Sequence, residues 1–319
     1  MYFPVADIEV SPLVPPLIAF AISFFTSMGG VSGAFLLLPF QVSFLGFTSP
    51  AVSSTNQLFN IVAIPSGVYR YLKEGRMLWP LTWVVIIGTL PGVLVGAIVR
   101  IKYLPDPKHF KLFAGLVLLY VGGRLLKDLT CRCNKGDTPT TEERFQRWLT
   151  QQTRATEKEP PPSPEHLPRV KVLQWTPTRI VYEFYGDTFT VNAVGLMALS
   201  LVVGMVGGVY GIGGGAIIAP FLVSFFGLPI YTVAGASLMG TFVTSVAGVA
   251  FYQILAPYYP GMVIAPDWLL GFLFGIGGFA GMYCGARLQK FVPAKFIKWI
   301  LAACLVFTAG KYIWNFFLS

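Results

Sequence analysis

The third apolar segment of the chain, about residues 51–70, carries a cluster of side chains that can form hydrogen bonds. Asn56, Gln57 and Asn60 lie in it, and their amide groups can donate hydrogen bonds to an oxyanion. Asn56 and Asn60 are four residues apart, so a helix would place them on one face. This face predicts either an anion site or hydrogen bonds between helices.

Two glycine-rich stretches supply a second feature that can bind anions. The sequence GVSGAFLLLPF at 30–40 matches GIGGGAIIAPF at 211–221 without a gap. Each glycine costs a helix about 1 kcal/mol relative to alanine, so both stretches predict a break in a helix. A helix that begins after such a break, near Ala34 or Ala216, has free N–H groups and a partial positive charge at its start. Such an end attracts anions; the alternative is that the glycines only allow close packing.

The match between these stretches belongs to a longer internal duplication. Residues 30–71 and 211–252 align at a constant offset of 181, with about 13 of 42 pairs identical. The next segment aligns at an offset of 189, which pairs two glycine faces that favour close packing: Gly88, Gly92 and Gly96 with Gly277, Gly281 and Gly285. A repeated, interrupted apolar segment is typical of transporters.

The duplication also pairs the polar positions of the two copies. Asn56 aligns with Ser237 and Asn60 with Thr241, whereas Gln57 aligns with Leu238 and makes the predicted site asymmetric. The residues predicted to contact a substrate are the turn residues and these polar positions: Gly30, Ser32, Gly33, Asn56, Gln57, Asn60, Gly211, Gly213, Gly214, Gly215, Ser237 and Thr241.

Composition identifies the surroundings of this site as a lipid bilayer. The chain is 55% hydrophobic and only 12% charged, against about 25% charged for a soluble domain. Its mean hydropathy is +0.66, and apolar segments of about 20 residues recur along it. We therefore predict an all-α polytopic protein of the cell membrane. The net charge of +9 is attributed to orientation in the membrane and not to nucleic-acid binding.

We divide the chain into a first membrane repeat at 1–126, a cytosolic linker at 127–190 and a second membrane repeat at 191–319. Within the linker, residues 140–153 predict a short amphipathic helix, and the sequence from 169 to 192 predicts a β-hairpin or three-stranded piece. Each repeat has about five helical segments. The two short apolar stretches around the first glycine break are read either as a hairpin of half-length helices or as one span followed by a short one.

The loops of the two repeats differ in basic residues, which mark the cytoplasmic side. The loop after the polar segment is basic in the first repeat, whereas residues 253–267 contain no lysine or arginine. This difference predicts two inverted repeats, with both termini outside and 127–190 in the cytoplasm. Four basic residues surround a loop that this scheme places outside: Arg100, Lys102, Lys108 and Lys111. A parallel duplication is the alternative.

Catalytic and metal-binding patterns are absent from the sequence. The chain has two histidines and four cysteines, without a nucleophile–base pair or a cluster of metal ligands. We therefore predict neither an enzyme nor a cofactor nor a bound metal. The predicted partners are a small anionic substrate and lipid, and a homodimer is left open.

The chain resembles the TauE/SafE family of sulfite and organosulfonate exporters. The resemblance rests on the two glycine turns, the Pro-Phe that closes each apolar stretch, and Ala236-Ser237; Ser32, Ala34 and Thr55-Asn56 depart from the pattern in the first copy. It implies export of small sulfur-containing anions such as sulfite or sulfoacetate, by alternating access of the two repeats. The alternatives are an importer coupled to an ion, and a membrane sensor or scaffold that acts through residues 127–190.

Overall fold

The computed structural model describes residues 1–28, 32–73, 75, 77–130, 170–288 and 294–318. Within them the backbone forms ten α-helices, five from each copy of the duplication. The first copy forms α1 (Val14–Met28), α2 (Ala34–Ser43), α3 (Ala51–Lys73), α4 (Trp79–Lys102) and α5 (Pro107–Thr130). The second copy forms α6 (Ala193–Tyr210), α7 (Gly214–Phe225), α8 (Ile230–Leu255), α9 (Trp268–Leu288) and α10 (Ala294–Leu318).

Two of these helices are too short to cross a bilayer. α2 has 10 residues and α7 has 12, so at about 1.5 Å per residue they span about half of a 30 Å hydrocarbon layer. Among the described residues, five segments are long and apolar enough to cross: Trp79–Lys102, Pro107–Lys127, Ala193–Tyr210, Thr232–Tyr258 and Trp268–Gly285. In the second copy, therefore, one full-length helix is followed by a half-length helix.

The duplication is also visible in the backbone after each half-length helix. Gly46 and Gly227, which are 181 residues apart, both have positive φ angles of 75° and 64°. Phe47 N–H donates to the carbonyl of Gln41 at 3.0 Å, and Leu228 N–H donates to that of Leu222 at 3.2 Å. The same turn therefore ends both short helices.

Helix packing follows a twofold exchange of the two copies. α4 of the first copy packs against α6, and α9 of the second copy packs against α1. In the same way α3 packs against α9, and α8 against α4. The remaining large contacts join equivalent helices, α3 with α8 and α5 with α10. Each copy thus contributes its fourth helix to the other.

The two glycine faces form the closest of these contacts. A Cβ atom at Gly92 would overlap the carbonyl oxygen of Leu201 in α6, and one at Gly281 would overlap that of Phe20 in α1. The helix backbones are in contact because no side chain separates them. The interpretation of these faces as packing surfaces is confirmed.

Two small antiparallel sheets accompany the helices. A short hairpin pairs β1 (Tyr2–Phe3) with β2 (Ile8–Glu9). The predicted three-stranded piece is present, in the order β3 (Lys171–Trp175), β4 (Arg179–Phe184) and β5 (Asp187–Asn192). The helix predicted at 140–153 lies outside the described residues, and the domain boundaries and the cytoplasmic location of this region stay predictions.

The three-stranded sheet docks on the helices through one face of β4. Ile180, Tyr182 and Phe184 alternate along the strand and are fully buried. The Tyr182 hydroxyl lies 3.0 Å from Thr232 Oγ1 near the start of α8, and burial raises the pKa of the Tyr182 phenol to about 12. The sheet and the helices therefore share one hydrophobic core.

We expect the Gly92→Ala variant to lose thermal stability. The added methyl must displace the α6 backbone, and overpacking of this kind costs about 1–3 kcal/mol. The melting temperature of the detergent-solubilised protein measures this loss. Gly123→Ala in α5 is the control, because a Cβ there meets nothing within 4 Å and alanine favours the helix. Equal melting temperatures for both variants would contradict the assigned packing.

Candidate functional site

One amide of α3 joins the two broken regions of the chain. Asn56 Nδ2 donates to the carbonyl of Ala34 at 3.2 Å and to the carbonyl of Gly211 at 3.0 Å. Asn56 Oδ1 accepts from Gln41 Nε2 at 3.4 Å. The start of α2 and the second glycine turn are therefore held by the same side chain.

A second amide, one helical turn further along, repeats this bridge. Asn60 Oδ1 accepts from Ser32 Oγ at 2.7 Å, and Asn60 Nδ2 donates to the carbonyl of Ile212 at 3.0 Å. Asn56, Asn60 and Ser32 are all fully buried. The polar face of α3 therefore brings the two glycine turns together inside the protein. Both N–H groups of the Asn56 amide form hydrogen bonds to other segments of the protein. The sequence analysis gave such bonds as the alternative to an anion site.

The second glycine turn, residues 211–215, combines an unusual backbone with close contacts. Gly211 and Gly213 have φ angles of 82° and 74°, a region that favours glycine. A Cβ at Gly213 would lie 2.9 Å from Ser245 Oγ and 3.0 Å from Thr241 Cγ2. Gly214 is similarly crowded by Thr89 of α4. Glycine is thus needed here both for the backbone conformation of the turn and for its close packing against α4 and α8.

The remaining turn positions complete the comparison of the two copies. Gly215 packs against the backbone of α8 at Ser237 and Thr241. Ser32, which aligns with Gly213, does not have a positive φ angle, so the two turns differ in backbone conformation. Gly33 precedes α2 with a φ of -61°. Gly30 lies outside the described residues.

Both half-length helices begin inside this polar region. The N–H of Ala34, at the start of α2, donates to Ser32 Oγ at 3.3 Å. The N–H of Gly214, at the start of α7, donates to Thr244 Oγ1 at 3.3 Å. The positive ends of two helices are thus directed at buried hydroxyl groups, in a region where an anion would be stabilised.

Several polar atoms around the turns lack a hydrogen-bond partner. Both amide atoms of Gln57 are buried without one, as are the hydroxyls of Ser23, Ser237 and Ser245. Ser23 lies beside the first turn, where a Cβ at Gly33 would be 2.8 Å from its Oγ, and Ser245 lies beside the second. A buried unsatisfied polar group costs about 1–3 kcal/mol, so a polar ligand at these atoms would be favoured.

The predicted residues fall into two groups by the use of their donors. Asn56 and Asn60 bind backbone carbonyls, and Thr241 Oγ1 donates to the carbonyl of Ser237 in its own helix at 2.8 Å. Gln57 and Ser237 keep their donors free. Gln57 lies at the contact with α8, where a Cβ at Gly248 would be 2.8 Å from its Nε2.

Sequence reasoning missed part of this region. The residues it did not select are Ser23, Gln41, Thr89, Thr244 and Ser245. Ser245 could have been predicted from the sequence, because it continues the four-residue spacing of Ser237 and Thr241 along one face of α8. Ser23 shares α1 with Thr26 and Ser27, and Thr89 shares α4 with Thr82, but both segments are mostly apolar and were read only as membrane segments.

The site is polar but uncharged. No charged side chain takes part in the hydrogen bonds given above, and the described residues contain no group of three histidine, cysteine, aspartate or glutamate side chains that could hold a metal ion. The donors are amides, hydroxyls and helix N-termini. Such a set suits a small oxyanion that must bind and leave again.

Half-length helices that meet at a buried polar centre, within two matched sets of membrane helices, are typical of membrane transporters. The comparison with known families identifies which family of transporters this is. Residues 16–312 match the family described as "Sulfite exporter TauE/SafE", and the chain belongs to that family. The members of that family are membrane transporters and not enzymes. No curated protein and no solved structure matches the chain significantly.

We expect Asn56→Leu to lower the thermal stability of the protein. Leucine cannot donate to the carbonyls of Ala34 and Gly211, and each carbonyl left unsatisfied costs about 1–3 kcal/mol. The melting temperature of the solubilised variant measures the loss. Ser237→Ala, which removes a hydroxyl without a partner, is the control and should melt like the wild type. A normal melting temperature for Asn56→Leu would mean that the bridge is not needed.

Proposed function

We propose that this protein exports small sulfur-containing oxyanions, such as sulfite, sulfoacetate or other organosulfonates, by alternating access of two inverted repeats. The observation that carries the proposal is the set of free donors at the two glycine turns. Gln57, Ser23 and Ser245 are buried, and no atom of the described residues uses their hydrogen-bonding capacity. A ligand rich in acceptor oxygens would satisfy the unused hydrogen-bond donors of these side chains.

The chemistry of the donors supports an oxyanion over other small solutes. A sulfonate or sulfite group presents three oxygens, each of which can accept hydrogen bonds from amides and hydroxyls. The N-termini of α2 and α7 add partial positive charge without a full buried cation. Binding would then be strong enough for selection and weak enough for release. The family description, sulfite exporter, supports the same substrate class.

Alternating access requires a surface at which two bodies can separate. The contacts of α3 with the second glycine turn and with α8 are the best candidate, because side-chain hydrogen bonds link α3 to that turn and to the end of α6. Asn56 donates to Gly211, Asn60 donates to Ile212 and Ser53 donates to the carbonyl of Val209. These bonds can break and form again, whereas the glycine faces of α4 and α9 interlock two backbones.

The membrane potential provides a driving force for export. An anion that leaves a cell with a negative interior gains about 2.3 kcal/mol per charge for each 100 mV. Export therefore needs no coupled ion. Uptake against the same potential would need one.

We expect Gln57→Leu to abolish transport while the protein stays folded. Leucine has a similar size and removes two unpaired polar atoms, so the melting temperature should not fall. Uptake of sulfite and sulfoacetate into proteoliposomes, corrected for the amount of reconstituted protein, measures the effect.

Gln174→Leu is the matched control, since it makes the same substitution on an exposed position of β3. It should transport like the wild type. Normal flux in Gln57→Leu would remove Gln57 from the site.

We also expect voltage alone to drive the flux. A potassium diffusion potential set with valinomycin should drive sulfoacetate toward the positive compartment in the absence of sodium and proton gradients. A flux that appears only with one of those gradients would indicate a coupled importer instead.

A further inference from the structure

Arg100 is a fully buried charged side chain in the last turn of α4. Its Nη1 atom donates to the carbonyl of Leu104, and its guanidinium carbon lies 3.8 Å from the centre of the Phe110 ring. These two contacts hold the guanidinium group in place. They do not neutralise its charge.

The other side of the guanidinium group is free. Nε and Nη2 are buried and have no hydrogen-bond partner in the part of the chain that the structure describes. Asp267 is the other buried charged side chain in the described part of the chain, but it does not pair with Arg100. Its Oδ1 accepts from Leu270 N–H at 2.9 Å, at the start of α9. A buried positive charge without a counterion is unfavourable, so an anion bound at Nε and Nη2 would stabilise Arg100.

Tyr252 connects Arg100 to the glycine turns. Its ring is fully buried and belongs to a small cluster with Ile101 and Ile264. Ile101 follows Arg100 directly in the chain, so this cluster places the Tyr252 ring beside the last turn of α4. The hydroxyl lies near Ser53 without forming a hydrogen bond of normal geometry. Ser53 in turn contacts the second turn, because a Cβ at Gly211 would lie 2.8 Å from its carbonyl carbon.

We propose that Arg100 and Tyr252 form a second anion site, which holds a sulfite or sulfonate group on its way to or from the glycine turns. The proposal rests on the proposed function, since it takes the same substrate. Nε and Nη2 are adjacent donors on one edge of a planar group, and this fork matches two oxygens of an oxyanion. The Tyr252 hydroxyl can donate to a third oxygen.

The test compares the concentration dependence of flux in variants of the full-length protein. Arg100→Gln should raise the KM for sulfoacetate in proteoliposomes by about 10-fold or more, as expected for the loss of charged hydrogen bonds. The maximal flux should stay close to that of the wild type, because the residues at the turns are unchanged. Arg100→Lys keeps the charge but loses the fork, so its KM should be intermediate.

Arg124→Gln is the matched control. Arg124 also lies over a phenylalanine ring, 4.8 Å from the centre of Phe225, so the substitution changes the same charge and the same type of contact elsewhere. Its KM should stay within twofold of the wild type. A KM within twofold for Arg100→Gln would overturn the second site and show that Arg100 is structural.

Two further measurements keep the test decisive. If Arg100→Gln does not fold, Tyr252→Phe replaces it and should raise the KM several-fold; an unchanged KM overturns the proposal.

If the wild type itself shows no flux, the proposed function fails. The second site is then judged by sodium sulfate, which should raise the melting temperature of the wild type but not of Arg100→Gln, with sodium fluoride at equal ionic strength as reference. Equal stabilisation of both proteins overturns the site.

Discussion

A helix that is interrupted inside a bilayer leaves backbone groups that neither water nor the helix can satisfy, and the fold depends on how they are satisfied. The amides of Asn56 and Asn60 donate hydrogen bonds to the carbonyls of Ala34, Gly211 and Ile212. Because each amide binds groups from both copies of the duplication, the two turns must lie side by side. The polarity of α3 is therefore a condition for the interrupted helices to exist.

The duplication has produced two copies with different tasks. α3 carries asparagines that reach both turns, whereas the equivalent positions of α8 carry Ser237 and Thr241. Thr241 binds its own helix, and Ser237 binds nothing. The first copy thus supplies the structural bridge, while free donors remain in both copies, at Ser23 and Gln57 in the first and at Ser237 and Ser245 in the second. A symmetric pair of asparagine faces would compete for the same carbonyls, so the divergence lets one site have both stability and free donors.

The sequence predicted the parts of this structure that leave a local pattern. The repeat, the half-length helices, the glycine faces and the polar face of α3 follow from spacing and composition, and the structure contains them. The partners of Asn56 and Asn60 were not predictable, because the carbonyls that they bind belong to the backbone and have no residue type. Ser23 and Thr89 were missed for a different reason, because their helices were read only as apolar membrane segments. Arg100 was counted among the basic residues that surround a loop, because no local pattern shows that the last turn of α4 is buried.

The exchange of helices between the copies restricts how the proposed transporter can move. α4 is interlocked with α6 and α9 with α1 through backbone contacts at glycine, so these pairs must move together. The moving bodies are then not the two halves of the sequence. One body contains α1, α2, α3 and α9, and the other contains α6, α7, α8 and α4.

This division agrees with the contacts of the turns. Gly33 lies against α1 and α3, and Gly214 lies against α4 and α6, so each turn stays within one body. The contacts of α3 with the second turn and with α8 lie between the bodies: Asn56 and Asn60 bind the second turn, and Gln57 lies against α8 at Gly248. A substrate at Gln57 would thus lie where the bodies separate, and its oxygens could accept hydrogen bonds from the Asn56 and Asn60 amides that opening releases.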